Sequence, residues 1–286
     1  MSYLEAVILG LVQGIFMFVP VSSTAHLVVT QHLMIAQGSD MPTPESPAMI
    51  LFDLIVHVGT LVSIAIVFRK SLSSLLRRTW GESLAWAGRS ATGPGPFMRL
   101  FAMGLLTVLV TGVLGLILKG LFEKVFAAPH ILVITLTITA VLLFITDRLP
   151  RRPLGIKAIG PRMAILIGLA QTAALIPGIS RSGITIIAGL FAGLKRRWAA
   201  EYSFLVAIPT ILAASLLQGI EVFRGDGIDG VGAGPMLVGF IVAAISGTYA
   251  LKLVLALLYK AQLKVFSVYL ILLAMVIGFG VLDGII

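Results

Sequence analysis

The sequence predicts an all-α integral membrane protein with six transmembrane helices and two re-entrant helical hairpins, arranged as an inverted-topology repeat. The chain of 286 residues is 58% hydrophobic and 12% charged, whereas a soluble domain is about 45–50% apolar and about 25% charged. Two apolar segments are too long for one crossing and are interrupted in the middle, and basic residues cluster in short loops. These features exclude a soluble enzyme, a disordered chain and a nucleic-acid-binding protein.

The whole chain, 1–286, is predicted to form one membrane domain made of two repeats. The first repeat, 1–150, begins with the re-entrant segment 5–36, and the second, 151–286, begins with the re-entrant segment 163–194. A spanning helix needs about 20 apolar residues. The remaining apolar segments have about that length, and they are 48–68, 100–118, 129–146, 198–220, 235–258 and 264–283.

Both long segments contain a Pro and small polar residues near their centre. Residues 20–24 read Pro-Val-Ser-Ser-Thr, and residues 177–183 read Pro-Gly-Ile-Ser-Arg-Ser-Gly. Non-helical backbone at membrane depth is tolerated only where protein or a watery cavity covers it. Each segment is therefore predicted to turn back within the membrane.

The charges of the loops predict the orientation of these elements. Loops 69–99 and 147–162 are basic, whereas loops 37–47 and 221–234 are acidic. Basic loops face the cytoplasm, and the crossings are consistent only if the two hairpins enter from opposite sides. This arrangement predicts a multi-pass protein of the inner or plasma membrane. Inverted repeats with broken helices place a binding site where the breaks meet.

The two breaks have the composition of a phosphate site. A helix that restarts presents free N–H groups and a positive dipole end, and both favour an anion. Glycines allow close approach of the backbone, and hydroxyls add hydrogen bonds. The predicted phosphate-binding residues are Ser22, Thr24, Gly178, Ser180, Ser182, Gly183 and Thr185.

Three residues are predicted to carry the chemistry. Arg181 offers a planar fork of donors that matches phosphate oxygens, and no acid lies within ten residues on either side of it. An Arg at membrane depth needs a partner, so the substrate is predicted to supply one. His26 can act as acid, base or nucleophile near neutral pH, and Ser23 adds a hydroxyl nucleophile.

Asp53 and His57 form a possible accessory pair. They are spaced i, i+4 and therefore share one face of the 48–68 helix. Two interpretations stay open: a carboxylate that contributes to the site, and a local polar pair near the membrane interface.

Residues 20–26 and 177–183 resemble the two signature motifs of the undecaprenyl-diphosphatase (bacitracin-resistance) family. Residues 52–60 and 202–209 are similar to that family as well, and the resemblance runs from about residue 5 to the C-terminus. It implies hydrolysis of a polyprenyl diphosphate to the monophosphate and phosphate. The product is the lipid carrier that is recycled for peptidoglycan synthesis, which confers bacitracin resistance. It also implies a divalent cation, Mg²⁺ or Ca²⁺, and leaves a homodimer open.

The chain departs from the family pattern before the first break. The family carries Glu-x-x-x-Glu there, whereas this chain has Gln13 and Met17. A thioether is a soft group that replaces neither a base nor a hard metal ligand, so no metal-binding residues are assigned. Two functions compete, beside a third alternative, an engineered or naturally inactive variant. One is a phosphatase in which His26 or Ser23 attacks phosphorus or His26 activates water, and the other is a non-hydrolytic polyprenyl-phosphate transporter or flippase.

Overall fold

The structure is a computed structural model that describes residues 1–118, 120, 129–176, 178–224 and 231–282. Across these residues it is helical, and its one β-type contact is an isolated bridge between Leu154 and Leu194. The predicted all-α class is confirmed. Pro177 and residue 283, which belong to predicted elements, lie outside the described residues.

Eleven α-helices and one short 3₁₀ turn make up the described part of the chain. They are α1 (Tyr3–Phe16), α2 (Ser23–Ala36), α3 (Pro47–Val67), α4 (Arg69–Ala87), α5 (Pro96–Ile117), α6 (Pro129–Asp147), the 3₁₀ turn Ile156–Ala158, α7 (Pro161–Ala173), α8 (Arg181–Phe191), α9 (Arg196–Arg224), α10 (Ala233–Tyr259) and α11 (Lys264–Leu282). The two long apolar segments are each a pair of helices, α1 with α2 and α7 with α8, as their central breaks predict.

Four helices of the described chain are long and apolar enough to cross a membrane. They are Pro47–Val67, Pro96–Ile117, Arg196–Val222 and Ala233–Tyr259. The other two predicted spans correspond to α6 and α11, which are apolar over the shorter stretches Ile131–Asp147 and Lys264–Phe279. The protein is therefore a membrane protein by composition and helix length.

The segment 69–99, which is predicted to be a loop, is largely the helix α4. None of its residues is buried, and it exposes Leu76, Trp80 and Leu84 beside its basic residues. This is the composition of an amphipathic helix that lies in the membrane interface. Because its charged residues interrupt the apolar residues, this helix contains no long apolar run that would predict it. Glu82 ties α4 to α5 by accepting the backbone N–H groups of residues 97 and 98 at 2.9 and 2.8 Å.

The described chain forms two compact units, each with helices from both predicted repeats. Unit 1 contains Met1–Val67 and Ile208–Leu257. Its helices α1 and α10 are packed backbone to backbone, because a Cβ at Gly10 would lie 2.8 Å from the carbonyl oxygen of Gly239. Ser63 of α3 donates to the Ala244 carbonyl of α10 at 2.8 Å. Small residues allow such close contact between membrane helices.

Unit 2 contains Phe68–Ala207 and Leu258–Ile286. In it α7 packs on α5, where a Cβ at Gly168 would lie 2.9 Å from the Thr107 carbonyl oxygen. The Thr111 hydroxyl donates to the Gly168 carbonyl at 3.2 Å and accepts from Gln171 Nε2 at 3.0 Å. This bonding between side chains and backbone fixes the register of the first helix of the second hairpin.

Candidate active site

The break of the first hairpin places His26 at the start of α2. Ser22 occupies the position before the helix with φ +65°, a left-handed conformation that is uncommon for a residue other than glycine. His26 Nδ1 lies 2.8 Å from the Ser22 carbonyl oxygen. A carbonyl only accepts, so Nδ1 carries the hydrogen, and in the neutral ring the lone pair is on Nε2. The Phe16 ring stacks on the imidazole with centroids 3.9 Å apart.

The two positions that depart from the family pattern lie together beside this break. Gln13 is fully buried, and its Nε2 donates to the Met17 sulfur at 3.5 Å. Ser23 Oγ also donates to that sulfur at 3.8 Å. A thioether is a weak acceptor, so the Ser23 hydroxyl is held loosely. Gln13 Oε1 is buried and has no hydrogen-bond partner among the described residues.

Asp53 is held by Gln31, which is not among the predicted site residues. Its carboxylate accepts Gln31 Nε2 at 2.9 Å, and Gln31 is fully buried in α2. His57 Nδ1 lies 2.7 Å from the backbone carbonyl oxygen of Asp53. The recorded bond between the predicted pair therefore uses the main chain, and the carboxylate joins α3 to α2. The available signal is a Gln within the long apolar segment 5–36, because a buried amide needs a partner.

The second break is shaped by Gly178 and Ser180. Gly178 has φ +87°, and a Cβ there would collide with Thr135 and Leu132 of α6. Ser180 is the N-cap of α8, and its hydroxyl accepts the Gly183 N–H at 3.2 Å. Ser182 Oγ lies 3.3 Å from Ser180 Oγ. The predicted helix restart is thus confirmed at this break.

Arg181 is the first residue of α8, directly after the cap. Its two terminal nitrogens are buried, and neither has a hydrogen-bond partner among the described residues. A buried guanidinium without an acceptor is costly. An anion from outside the protein would compensate this cost, and the predicted role of Arg181 in binding phosphate stays a prediction.

Two of the predicted phosphate-binding residues, Thr185 and Thr24, differ from the others in their contacts or their exposure. Thr185 is buried, and its hydroxyl pairs with Ser203 of α9 at 2.5 Å and donates to the Arg181 carbonyl at 2.8 Å. These bonds position the start of α8. Thr24 is exposed in the first turn of α2. The roles of both residues in binding phosphate stay predictions.

The residues beside the first break do not fit a hard divalent cation. Mg²⁺ and Ca²⁺ prefer several oxygen ligands, chiefly carboxylates. Position 13 offers one amide oxygen and position 17 a sulfur, and no three acidic or histidine side chains converge within the described part of the chain. The cation implied by the resemblance stays a prediction.

Comparison with known proteins covers nearly the whole chain. The profile of the family described as bacitracin resistance protein BacA matches residues 6–276. The chain is 56% identical over 279 residues to an undecaprenyl-diphosphatase of Alkalilimnicola ehrlichii, covering 97% of this chain and 96% of that protein. It is 55% identical over 280 residues to one of Halorhodospira halophila, covering 97% of each. It is 30% identical over 284 residues to one of Methanobrevibacter smithii, covering 98% of each.

Proposed function

Because this chain belongs to the bacitracin resistance protein BacA family, we propose that it hydrolyses undecaprenyl diphosphate to undecaprenyl phosphate and phosphate. Relatives that are 55–56% identical over nearly their full length are named for this activity. The substrate is a membrane lipid, which agrees with the apolar helices of the chain. The protein recycles the lipid carrier of peptidoglycan synthesis in the plasma membrane and thereby confers bacitracin resistance.

The observation that carries this proposal is the buried guanidinium of Arg181. Its two terminal nitrogens have no partner among the described residues, and two parallel N–H groups match two phosphoryl oxygens. In the transition state of phosphoryl transfer, negative charge is spread over the oxygens of the transferred group. A fixed cation beside those oxygens stabilises this charge. Arg181 therefore binds the diphosphate and lowers the barrier to its cleavage.

His26 is the proposed base. Its Nδ1–H is used on the Ser22 carbonyl, so the lone pair of Nε2 takes the proton of the attacking water or of the Ser23 hydroxyl. The new P–O bond forms as the bridging P–O bond breaks, and polyprenyl phosphate leaves. When Ser23 attacks, water then hydrolyses the phosphoserine and His26 serves again as the base. Gln13, Met17 and Asp53 act on this machinery only through the positions of Ser23 and α2.

The non-hydrolytic alternative is not supported. A transporter or flippase needs lipid-phosphate binding without bond cleavage, and the relatives are named as diphosphatases. The substitution at position 17 motivated that alternative, yet the histidine, the serine and the arginine are all present in this chain.

We also propose the inverted repeat with six spans. Its support is a matched pair of contacts, each within one unit. In unit 1 the first hairpin helix, α1, places Gly14 against Ser246 of α10; in unit 2 the equivalent helix, α7, places Gly168 against Val110 of α5. Helices α5 and α10 occupy the same position in the two repeats. A homodimer, which the family resemblance leaves open, is a further proposal.

The test is release of inorganic phosphate from a C55 polyprenyl diphosphate by the purified protein in detergent. Wild-type protein should release phosphate, and Arg181→Ala should fall to background, a loss of about 10²-fold or more. Arg162→Ala, an exposed arginine of α7, is the matched control and should keep wild-type activity. Assays with Mg²⁺, with Ca²⁺ and with chelator test the implied cation. No release by the wild type above the Arg181→Ala background would refute the proposal.

A further inference from the structure

A second charged site lies in unit 2, in a cavity of about 530 Å³ between helix ends. The residues after α6, the turn between α8 and α9, and the turn after α10 form its walls. The charged residues that line it are Asp147, Arg151, Arg152, Lys195, Arg196 and Lys260. None of them belongs to the proposed catalytic machinery, so the inference does not depend on the proposed hydrolysis.

The acid in this cavity is already neutralised by the protein. One carboxylate oxygen of Asp147 pairs with Arg196 at 3.5 Å, and the other accepts the backbone N–H of Lys264 at 2.7 Å. The Asp147 side chain is 8% exposed. It therefore cannot also balance the remaining cations of the lining.

Four cations of the lining are left for a ligand. No ion pair joins Arg151, Arg152, Lys195 or Lys260 to another residue in the described ranges, and Arg152 Nε is buried without a partner there. Backbone bonds between Leu154 and residues 193 and 195 hold two of the walls together at 3.1 and 3.0 Å. A cavity with fixed walls and an excess of cations binds an anion with several oxygens.

An apolar groove lies between α6 and α11, the two helices that the bond from the Lys264 N–H to Asp147 joins at one end. Phe144, one turn before Asp147 on the same face of α6, lines a groove of about 320 Å³ with residues of α11. Ile271 lines this groove and also the next one, of about 420 Å³, so the apolar surface continues along α6 and α11. The Arg148 guanidinium lies 4.2 Å from the centre of the Phe144 ring and places another cation at the groove's end.

We propose that this cavity binds the phosphodiester headgroup of an anionic membrane lipid, whose acyl chain lies in the groove between α6 and α11. Basic pockets at the ends of membrane helices bind such headgroups. Tyr259, which also lines the cavity, is an aromatic residue of the type found at the membrane interface. A free phosphate would use the cavity alone, whereas a lipid would use the cavity and the groove. Asp147 lines the cavity and Phe144, one turn away on α6, lines the groove, and this proximity favours the lipid.

The test titrates the full-length protein in nonionic detergent with phosphatidylglycerol and with phosphatidylcholine, and measures binding by native mass spectrometry. Phosphatidylglycerol should bind preferentially. Each lost cation should weaken it about five-fold, so Lys195→Gln with Lys260→Gln should weaken it about 25-fold. The matched control is Lys157→Gln with Arg162→Gln, two exposed basic residues outside the cavity, and it should bind like wild type. Should the first pair not fold, Arg151→Gln with Lys260→Gln takes its place.

Three results would overturn the proposal. Equal binding of the two lipids by wild-type protein would show no headgroup site. Equal losses in the cavity and control variants would show a general effect of net charge. Competition by soluble glycerol phosphate at the same concentration as the lipid would assign the cavity to a free phosphate ester.

Discussion

Met17 decides how the hydroxyl beside His26 is held. Its sulfur is the acceptor for both Gln13 Nε2 and Ser23 Oγ, at 3.5 and 3.8 Å. A carboxylate in that place would accept the same donors with charge assistance, which makes a hydrogen bond roughly twice as strong. The thioether leaves Ser23 weakly oriented, and it leaves the buried Gln13 Oε1 without a partner among the described residues. The enzyme proposed here therefore works with a loosely held first break.

A carboxylate at position 17 should accelerate this protein. Met17→Glu is expected to raise the rate of phosphate release about ten-fold or more, because it orients Ser23 and can accept a proton. The rate is measured on a C55 diphosphate with folded protein, as judged by its thermal unfolding. Met17→Gln has a similar length without the charge and should give no comparable gain. A Met17→Glu protein that binds substrate tightly and releases phosphate no faster than wild type would contradict this account and favour a carrier.

The second hairpin depends on a turn that only glycine fits well. Gly178 combines a left-handed φ of +87° with the close approach of α6. An alanine there costs about 1–2 kcal/mol for the backbone alone, and its Cβ would also displace Thr135 or Leu132. Gly178→Ala should therefore lower the unfolding temperature and the rate of phosphate release together. Gly160→Ala, at the glycine just before α7 whose added Cβ would meet nothing within 4 Å, is the control, and equal stability of the two variants would refute the argument.

Replacing a helix glycine by alanine is expected to lower the stability of the protein at close-packed positions and to raise it at an open one. Alanine at Gly14 or Gly168 places a Cβ within 2.9 Å of backbone in the facing helix, and overpacking costs about 1–3 kcal/mol. Alanine at Gly112, which has nothing within 4 Å, gains up to about 1 kcal/mol of helix propensity. The unfolding temperature should therefore fall for the first two variants and stay the same or rise for Gly112→Ala. A rise in all three would show that these helix pairs are not close-packed.

Most helices could be predicted, because in a chain as hydrophobic as this one a long apolar run indicates a helix in the membrane. The break at Ser180 could be predicted too, since the cap and the glycines are local signals. Helix α4 could not, because its charged residues interrupt any apolar run, and an amphipathic helix at a membrane interface needs none. The Gln31–Asp53 bond could not be predicted either, since it joins residues of two helices whose packing the sequence does not specify.

At the scale of the whole molecule, composition and charge predict a membrane protein, and the described helices agree with it. The two compact units mix helices from both predicted repeats, which a division of the sequence at residue 150 does not suggest. Sequence patterns identify repeats by similarity along the chain, whereas the units are defined by packing. His26 belongs to unit 1 and Arg181 to unit 2.

The most direct measurement compares binding with turnover in His26→Ala and Arg181→Ala. A polyprenyl methylenediphosphonate, which cannot be hydrolysed, reports binding, and phosphate release from the diphosphate reports turnover. His26→Ala should bind the analogue like wild type and lose about 10²-fold or more in turnover, because its imidazole acts only on the proton. Arg181→Ala should lose both binding and turnover. Wild-type turnover by folded His26→Ala, or unchanged binding by Arg181→Ala, would contradict the proposed division of roles.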